Sequence, residues 1–309
     1  MSLEHPLDHL LQLVDPRGCR LIKLPERIWI FGGPVGEGGP PSSLRDSFWR
    51  MALVGQPQYW FRDLDRPENY PEWWAFSGYE DLLEFERDAC YLARNVILFS
   101  ESPGSYAELG ALALDDSILP RLFVFVVVQS RFLGEDLRRS FLNLGPIHRA
   151  NNSGARCVIE GVSPTNLSEG DYLAIVDCFN EFTNNGQPEK VAFNKSNPTH
   201  VLLLIADLVD LLLVCKTIDI QKALKHFEVN MTDSNLKKSL NLLDFFKLVR
   251  SEHRGREQFW GRIVGGDAPW VDYTSKMQAE AFDRYRFKIM AQQFVESDKA
   301  LNYIFGRGQ

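Results

Sequence analysis

The chain has 309 residues, 45% of them hydrophobic and 24% charged, with a formal net charge of −7 at pH 7. That length suits two domains, each with its own core. The acidic average excludes a protein coated in nucleic acid but leaves room for a local basic patch. From Thr199 onward sixteen Lys/Arg stand against fourteen Asp/Glu, so the acidity belongs to the first two-thirds. Five scattered cysteines (Cys19, Cys90, Cys157, Cys178, Cys215) make no C-x-x-C pair. They argue against a disulfide framework or a zinc site and for reduced thiols in a cytoplasmic protein. Residues 1–15 lack the basic and apolar runs of a signal peptide. The most apolar stretch, 201–215, contains Asp207 and Asp210 and is too short to span a bilayer, so no membrane partner is expected.

In chain order, residues 27–31 read as a strand that ends in Gly32-Gly33-Pro34, and 36–41 as a Gly/Pro loop. Ser42 or Ser43 caps a helix through about Leu53. Residues 58–61 read as a second strand, followed by an acid- and aromatic-rich loop with Tyr70, Trp73 and Trp74. Residues 79–93 show helical periodicity, 95–99 read as a strand, and 105–114 as a helix. Residues 122–128 are almost wholly apolar, as in a central parallel strand covered on both faces. A fifth strand over 155–159 and a helix over 172–182 complete the alternation. The expectation is a doubly wound, mainly parallel five-stranded α/β sheet of flavodoxin-like order, whose ligand sits at the carboxyl ends where the first and third strands meet. The polar stretch 186–198 separates domain 1–190 from domain 198–309. In the latter, three helices (199–215, 218–227, 233–249) precede a basic turn, 250–256, in the outline of a winged helix.

The stretch Leu98-Phe-Ser-Glu-Ser-Pro-Gly-Ser-Tyr-Ala-Glu-Leu-Gly110 carries the chemistry. A strand runs through a Gly turn into a helix bearing Glu108. A helix N-terminus suits a phosphate. A carboxylate beside C1′ of a sugar stabilises the oxocarbenium-like state formed when a C1′–N bond breaks, or attacks it. The same spacing admits a structural reading, because Ser105-x-x-Glu108 fits a capping box in which Glu folds back on its own helix. Gly32 and Gly33 let backbone approach a phosphate closely. Tyr70, Trp73 and Trp74 either stack on a base or pack a long loop. His5 and His9 have no further ligands for a metal nearby.

Gly104-Ser-Tyr-Ala-Glu-Leu-Gly110 resembles the G-T-x-x-E-L-G signature of nucleoside 2-deoxyribosyltransferases. The longer blocks Glu101-Ser-Pro-Gly-Ser-Tyr-Ala-Glu-Leu-Gly-Ala111 and Arg139-Ser-Phe-Leu-Asn-Leu-Gly-Pro-Ile147 resemble retron-associated effector proteins, which join such a domain to a winged helix. The match is specific from about Leu82 to Ile147. It implies a toxin of anti-phage defence that cleaves NAD or a related nucleotide as substrate, with no resident cofactor or metal. It also implies control by a reverse transcriptase and its branched RNA–DNA product, msDNA. By the same resemblance Glu108 takes the catalytic role, and Gly32, Gly33, Glu86, Ser102, Gly104, Ser105 and Asn143 line the substrate. Ser102 stands where deoxyribosyltransferases usually carry Asp, which sets this chain apart from base exchange on free deoxynucleosides.

Lys237, Lys238, Arg250, Arg254 and Arg256 form the concentrated basic group, suited to phosphate backbones or to the retron complex. The alternative function is a non-enzymatic nucleotide sensor whose winged helix binds DNA. The fold serves either, but a sensor has no need of Glu108. A homo-oligomer is compatible with both.

Overall fold

The computed structural model describes residues 5–54, 59–72, 78–128, 140–152, 156–160, 165–184, 190–277 and 281–307. In chain order its first elements are α1 (Pro6–Leu13), β1 (Val14–Leu21), β2 (Ile28–Phe31), α2 (Leu44–Val54), β3 (Leu64–Asp65), α3 (Leu82–Cys90), β4 (Asn95–Ser100), α4 (Pro103–Leu112), β5 (Leu122–Val128), α5 (His148–Asn152), β6 (Arg156–Glu160) and α6 (Glu169–Asn184). Then come β7 (Val191–Ala192), α7 (Pro198–Leu212), β8 (Val214–Cys215), α8 (Thr217–His226), α9 (Asp233–Phe245), β9 (Arg250–Arg254), β10 (Glu257–Gly261), β11 (Val271–Ser275), α10 (Arg284–Ser297) and α11 (Lys299–Gly306). The chain divides into two compact units. One, the sheet unit, comprises residues 25–74 and 81–188; the other, the terminal unit, comprises 1–24, 75–80 and 189–309.

The sheet unit holds five strands in the order β3-β2-β4-β5-β6, every neighbouring pair parallel. Counted within the unit this is 2-1-3-4-5, the flavodoxin-type order of the expected fold. All six residues of β4 are buried, which is what a strand flanked on both edges and covered on both faces requires. Ile30, Phe99 and Phe125 from neighbouring strands meet Phe48 of α2 and Phe179 of α6 in one core cluster. The rings of Phe99 and Phe125 stack at 4.7 Å. The chain leaves β2 for β3 on one side and returns to β4 on the other. The crevice at the carboxyl ends of β2 and β4 is therefore the switch point where such folds bind ligands.

Two expected elements differ. The strand expected over 58–61 is a 3-10 turn, Tyr59–Asp63, and the pairing strand is the two-residue β3 beyond it. The helix expected from Ser105 starts at Pro103. Proline at the first helical position loses no bond, because that N–H has no partner inside a helix.

The terminal unit has two three-stranded sheets, β11-β1-β7 and β8-β10-β9. Residues 5–24, expected in the first domain, belong here, because β1 pairs antiparallel with β11 from Val14↔Ser275 to Leu21↔Val271. Its core is α7, nearly every residue of which is buried. After α7 come short β8, helices α8 and α9, and the β9–β10 hairpin, with β8 paired to β10. Among the described residues no helix is long and apolar enough to cross a membrane.

Candidate active site

The loop after β2 is organised by a carboxylate at the end of β4. Glu101 accepts hydrogen bonds from the backbone N–H of Gly33 (2.9 Å), Leu44 (2.7 Å) and Arg45 (3.0 Å). It thereby satisfies orphan donors in the first turn of α2, where a negative charge is favoured. Glycine is required here for packing. A Cβ on Gly33 would sit 2.7 Å from Cβ of Ser43, and one on Gly32 would sit 2.9 Å from both Arg45 Cβ and Glu101 Oε1. The sequence suggested that Gly33 brings backbone to a phosphate, but its N–H is already committed to Glu101. Farther along the loop, Asp46 accepts from the N–H of Gly36 and Ser42 and from Arg50. Burial opposes its ionisation, but these hydrogen bonds outweigh burial and lower its pKa.

Arg45 is the buried cation among those of this region. Its buried guanidinium donates to the carbonyls of Gly33 (2.8 Å) and Ile30 (3.3 Å) and forms a two-pronged ion pair with Glu68 (2.5 and 3.2 Å). Glu68 lies in the 3-10 turn Pro67–Asn69 that follows β3.

The start of α4 tests the capping reading of Glu108. Ser102 is the N-cap: its hydroxyl accepts from Ser105 N–H (3.2 Å), and the Ser105 hydroxyl accepts from Ser102 N–H (2.9 Å). The Ser105 hydroxyl also accepts from Glu101 N–H (3.0 Å). The capping box is thus Ser102–Ser105, and the alternative Ser105–Glu108 box does not form. Glu108 sits in the second turn, released from capping, and its Oε2 is buried without a hydrogen-bond partner among the described residues. A buried carboxylate oxygen left unpaired is costly, and such groups concentrate where a ligand supplies the partner.

Glu86, on α3, is the second carboxylate. It is 8% exposed and makes no hydrogen bond or ion pair among the described residues. Burial, then the charges of Glu108 and Glu68, push its pKa up to about 8, against the pull of Arg45. Burial likewise pushes Glu108 up to about 7; Arg45 opposes this and Glu68 adds to it. Both carboxylates are thus held above the usual carboxylate range, burial being the first cause in each. Two carboxyl groups so perturbed make this region the candidate site.

The remaining substrate candidates differ in standing. Gly104 is exposed in the first turn of α4, where an added Cβ would make ordinary contact with Ser102 Oγ at 3.9 Å. Ser102 and Ser105 are occupied with each other as caps. Asn143 is half-buried and opens a π turn, Asn143–Ile147, where Pro146 cannot donate a helical hydrogen bond. Tyr70 packs edge-on against Trp29 at 5.5 Å and donates to Asp65, so it serves its own loop. Trp73 and Trp74 lie outside the described residues. Among the described residues no group of three or more His, Cys, Asp or Glu could hold a metal ion. Arg45, Glu68 and the anchoring role of Glu101 were missed from sequence. Only Glu101 carried a signal, an acid placed at a strand end.

The basic group of the terminal unit divides in two. Arg250 is a structural residue: it donates to the carbonyls of Ile304 (2.8 Å) and Arg262 (3.2 Å) and pairs with Glu252. Lys238 lays its stem along Gly78 and its ammonium over the Tyr79 ring at 4.3 Å. Lys237, Arg254 and Arg256 are exposed, the first on α9 and the others at the β9–β10 hairpin.

The profile of a family described as STM3845 retron effector protein matches residues 41–251, more than half of the chain and including both carboxylates. The chain belongs to this retron effector family. The effector is also similar to two Escherichia coli proteins. It is 30% identical over 102 residues to the "Retron Ec86 putative ribosyltransferase/DNA-binding protein", covering 32% of each chain. It is 37% identical over 68 residues to the "Retron Ec73 putative ribosyltransferase/DNA-binding protein", covering 22% of this chain and 20% of that one. The matches thus span a third or less of the length of these relatives.

Proposed function

We propose that the sheet unit hydrolyses the N-glycosidic bond of NAD or a related nucleotide, and that the effector is a toxin of anti-phage defence. The observation that carries this reading is the Glu108 carboxylate, freed from helix capping and left with a buried oxygen that has no partner among the described residues, within reach of the charge of Glu86. As the C1′–N bond lengthens, positive charge develops on the sugar, and Glu108 stabilises it or bonds to C1′. Nicotinamide departs as a neutral base and needs no proton. A purine base departs more readily once protonated, and Glu86 is the group that holds a proton for it. The names of the two relatives, which speak of ribosyl transfer, support the same class of bond.

The terminal unit, on this reading, is a winged-helix module that contacts the retron reverse transcriptase and its msDNA. Support comes from the succession of α7, β8, α8, α9 and the β9–β10 hairpin, with Lys237, Arg254 and Arg256 exposed on it. Purified protein incubated with NAD, followed by chromatography for free nicotinamide, tests the enzymatic half. The wild type should release nicotinamide and Glu108→Gln should not. Nucleotide binding without any release, in both proteins, would favour the sensor-regulator instead.

A further inference from the structure

The sheet unit holds a second pair of side chains placed for chemistry that glycosidic cleavage does not use. Cys157 lies on β6, the edge strand of the five-stranded sheet, and Cys178 lies on α6. Their sulfurs are 3.2 Å apart, the Cys157 thiol donating to the Cys178 sulfur. Cys157 is buried and Cys178 is half-buried. Cys19 is differently placed, its thiol donating to the Asp15 carbonyl, while Cys90 and Cys215 are buried.

We propose that Cys157 and Cys178 are a redox-convertible pair, closed to a disulfide by a peroxide and reopened by a dithiol. A disulfide bond is about 2 Å long, so the sulfurs need approach by only about 1 Å. The geometry also assigns the order of events. Cys178 is the more accessible of the two and accepts the hydrogen bond from Cys157, so it meets the peroxide first. Its sulfur, having released its proton to solvent, attacks one oxygen of hydrogen peroxide, the O–O bond breaks, and hydroxide leaves a sulfenic acid on Cys178. The Cys157 sulfur then attacks the Cys178 sulfur. The S–O bond breaks, the Cys157 proton goes to the departing hydroxide, and the disulfide forms. In sum two thiols are oxidised and one peroxide is reduced to two waters. Burial, then the hydrogen bond to Cys178, pushes the Cys157 thiol up to about 12, in keeping with its role as the partner that keeps its proton until the second step.

The link would join residues 21 apart in sequence and fasten the edge strand to the helix behind it. It should raise the melting temperature of the sheet unit by on the order of 5 °C. The test uses the reduced full-length protein exposed to stoichiometric hydrogen peroxide, with thiols counted after denaturation. Five thiols should fall to three, with a loss of two hydrogens in the intact mass, a cross-linked peptide joining positions 157 and 178, and full reversal by dithiothreitol. Cys157→Ser should instead hold Cys178 as a sulfenic acid that a cyclic dione traps, and Cys178→Ser should keep all four remaining thiols. The inference is overturned if five thiols persist, if Cys178 proceeds to sulfinic acid without linking in the wild type, or if the cross-link joins two chains on a non-reducing gel.

Discussion

Two sets of buried acids, one in each unit, behave oppositely. In the terminal unit Asp207 is completely buried, yet it accepts from the N–H of Trp270 (2.7 Å) and Val271 (3.3 Å) and pairs with Arg284. Asp210 beside it binds the other arm of Arg284 (2.8 Å) and Lys288 (2.7 Å). Every charge there has a counter-charge, and the network fastens β11 and α10 to α7. In the sheet unit Glu86 is buried and Glu108 half-buried; their charges oppose each other, and among the described residues Glu86 makes no hydrogen bond and Glu108 Oε2 has no partner, with Arg45 already committed to Glu68. A satisfied buried charge is architecture; an unsatisfied pair is free energy held for a ligand.

The comparison breaks most visibly at Glu108. Glu108→Gln should cost on the order of 10²–10⁴ in the rate of glycosidic cleavage, while its melting temperature equals or exceeds that of the wild type. A large loss of stability would place Glu108 with the architectural acids. Asp207→Ala should do the reverse. It leaves Arg284 without its innermost partner and should lower stability by about 3–5 kcal/mol in urea unfolding. A neutral outcome would erase the contrast. Between them lies Glu101→Ala, which strands three backbone N–H groups. About 1–3 kcal/mol of stability should be lost together with activity, because the loop after β2 loses its anchor.

Glu86 sharpens the comparison through pH. Its folded-state pKa, about 8, stands above the ordinary 4.5, so folding holds its proton more tightly. That contribution is complete below pH 4.5 and disappears as pH rises through 8. Melting temperatures measured at pH 5 and pH 9 should therefore differ less in Glu86→Gln than in the wild type. The activity profile should rise through about pH 7 as Glu108 ionises. For a purine leaving group it should fall again through about pH 8, and Glu86→Gln should depress that activity more than nicotinamide release. The smallest effect on stability belongs to the triple change of Lys237, Arg254 and Arg256 to Glu, within about 0.5 kcal/mol of wild type. Its effect should appear in pull-down with the reverse transcriptase–msDNA complex, which weakens while cleavage is preserved. Loss of cleavage with intact association would overturn the division of labour.

The strands of the sheet unit were readable because parallel strands covered on both faces are continuous apolar runs, as 95–100 and 122–128 are. The alternation of elements implied a parallel sheet, and the 2-1-3-4-5 order agrees with the flavodoxin-like expectation. The two-residue β3 was not readable, since its pairing depends on a neighbour and not on any local pattern. The start of α4 was misplaced by two residues because Ser102 and Ser105 both make credible caps. Pro103, a favoured first helical residue, was the sign that pointed to Ser102. The company kept by Glu108 was out of reach, since Glu101 finds Gly33 68 residues away and Arg45 finds Glu68 23 away. The same distance hid the true use of Arg250, whose carbonyl partner is 54 residues downstream.

The pairing of β1 with β11 has a consequence in time. Arg20 faces Asp272, so β1 leaves the ribosome long before this partner, which lies some two hundred and fifty residues downstream. At roughly 5–20 residues per second, that partner follows only after tens of seconds. The sheet unit can fold during that interval, while β1, the middle strand of its sheet, waits first for β7 and then for β11. Pro16 withholds a donor, and Arg17 and Arg20 charge the strand, both of which discourage wrong pairings while it waits.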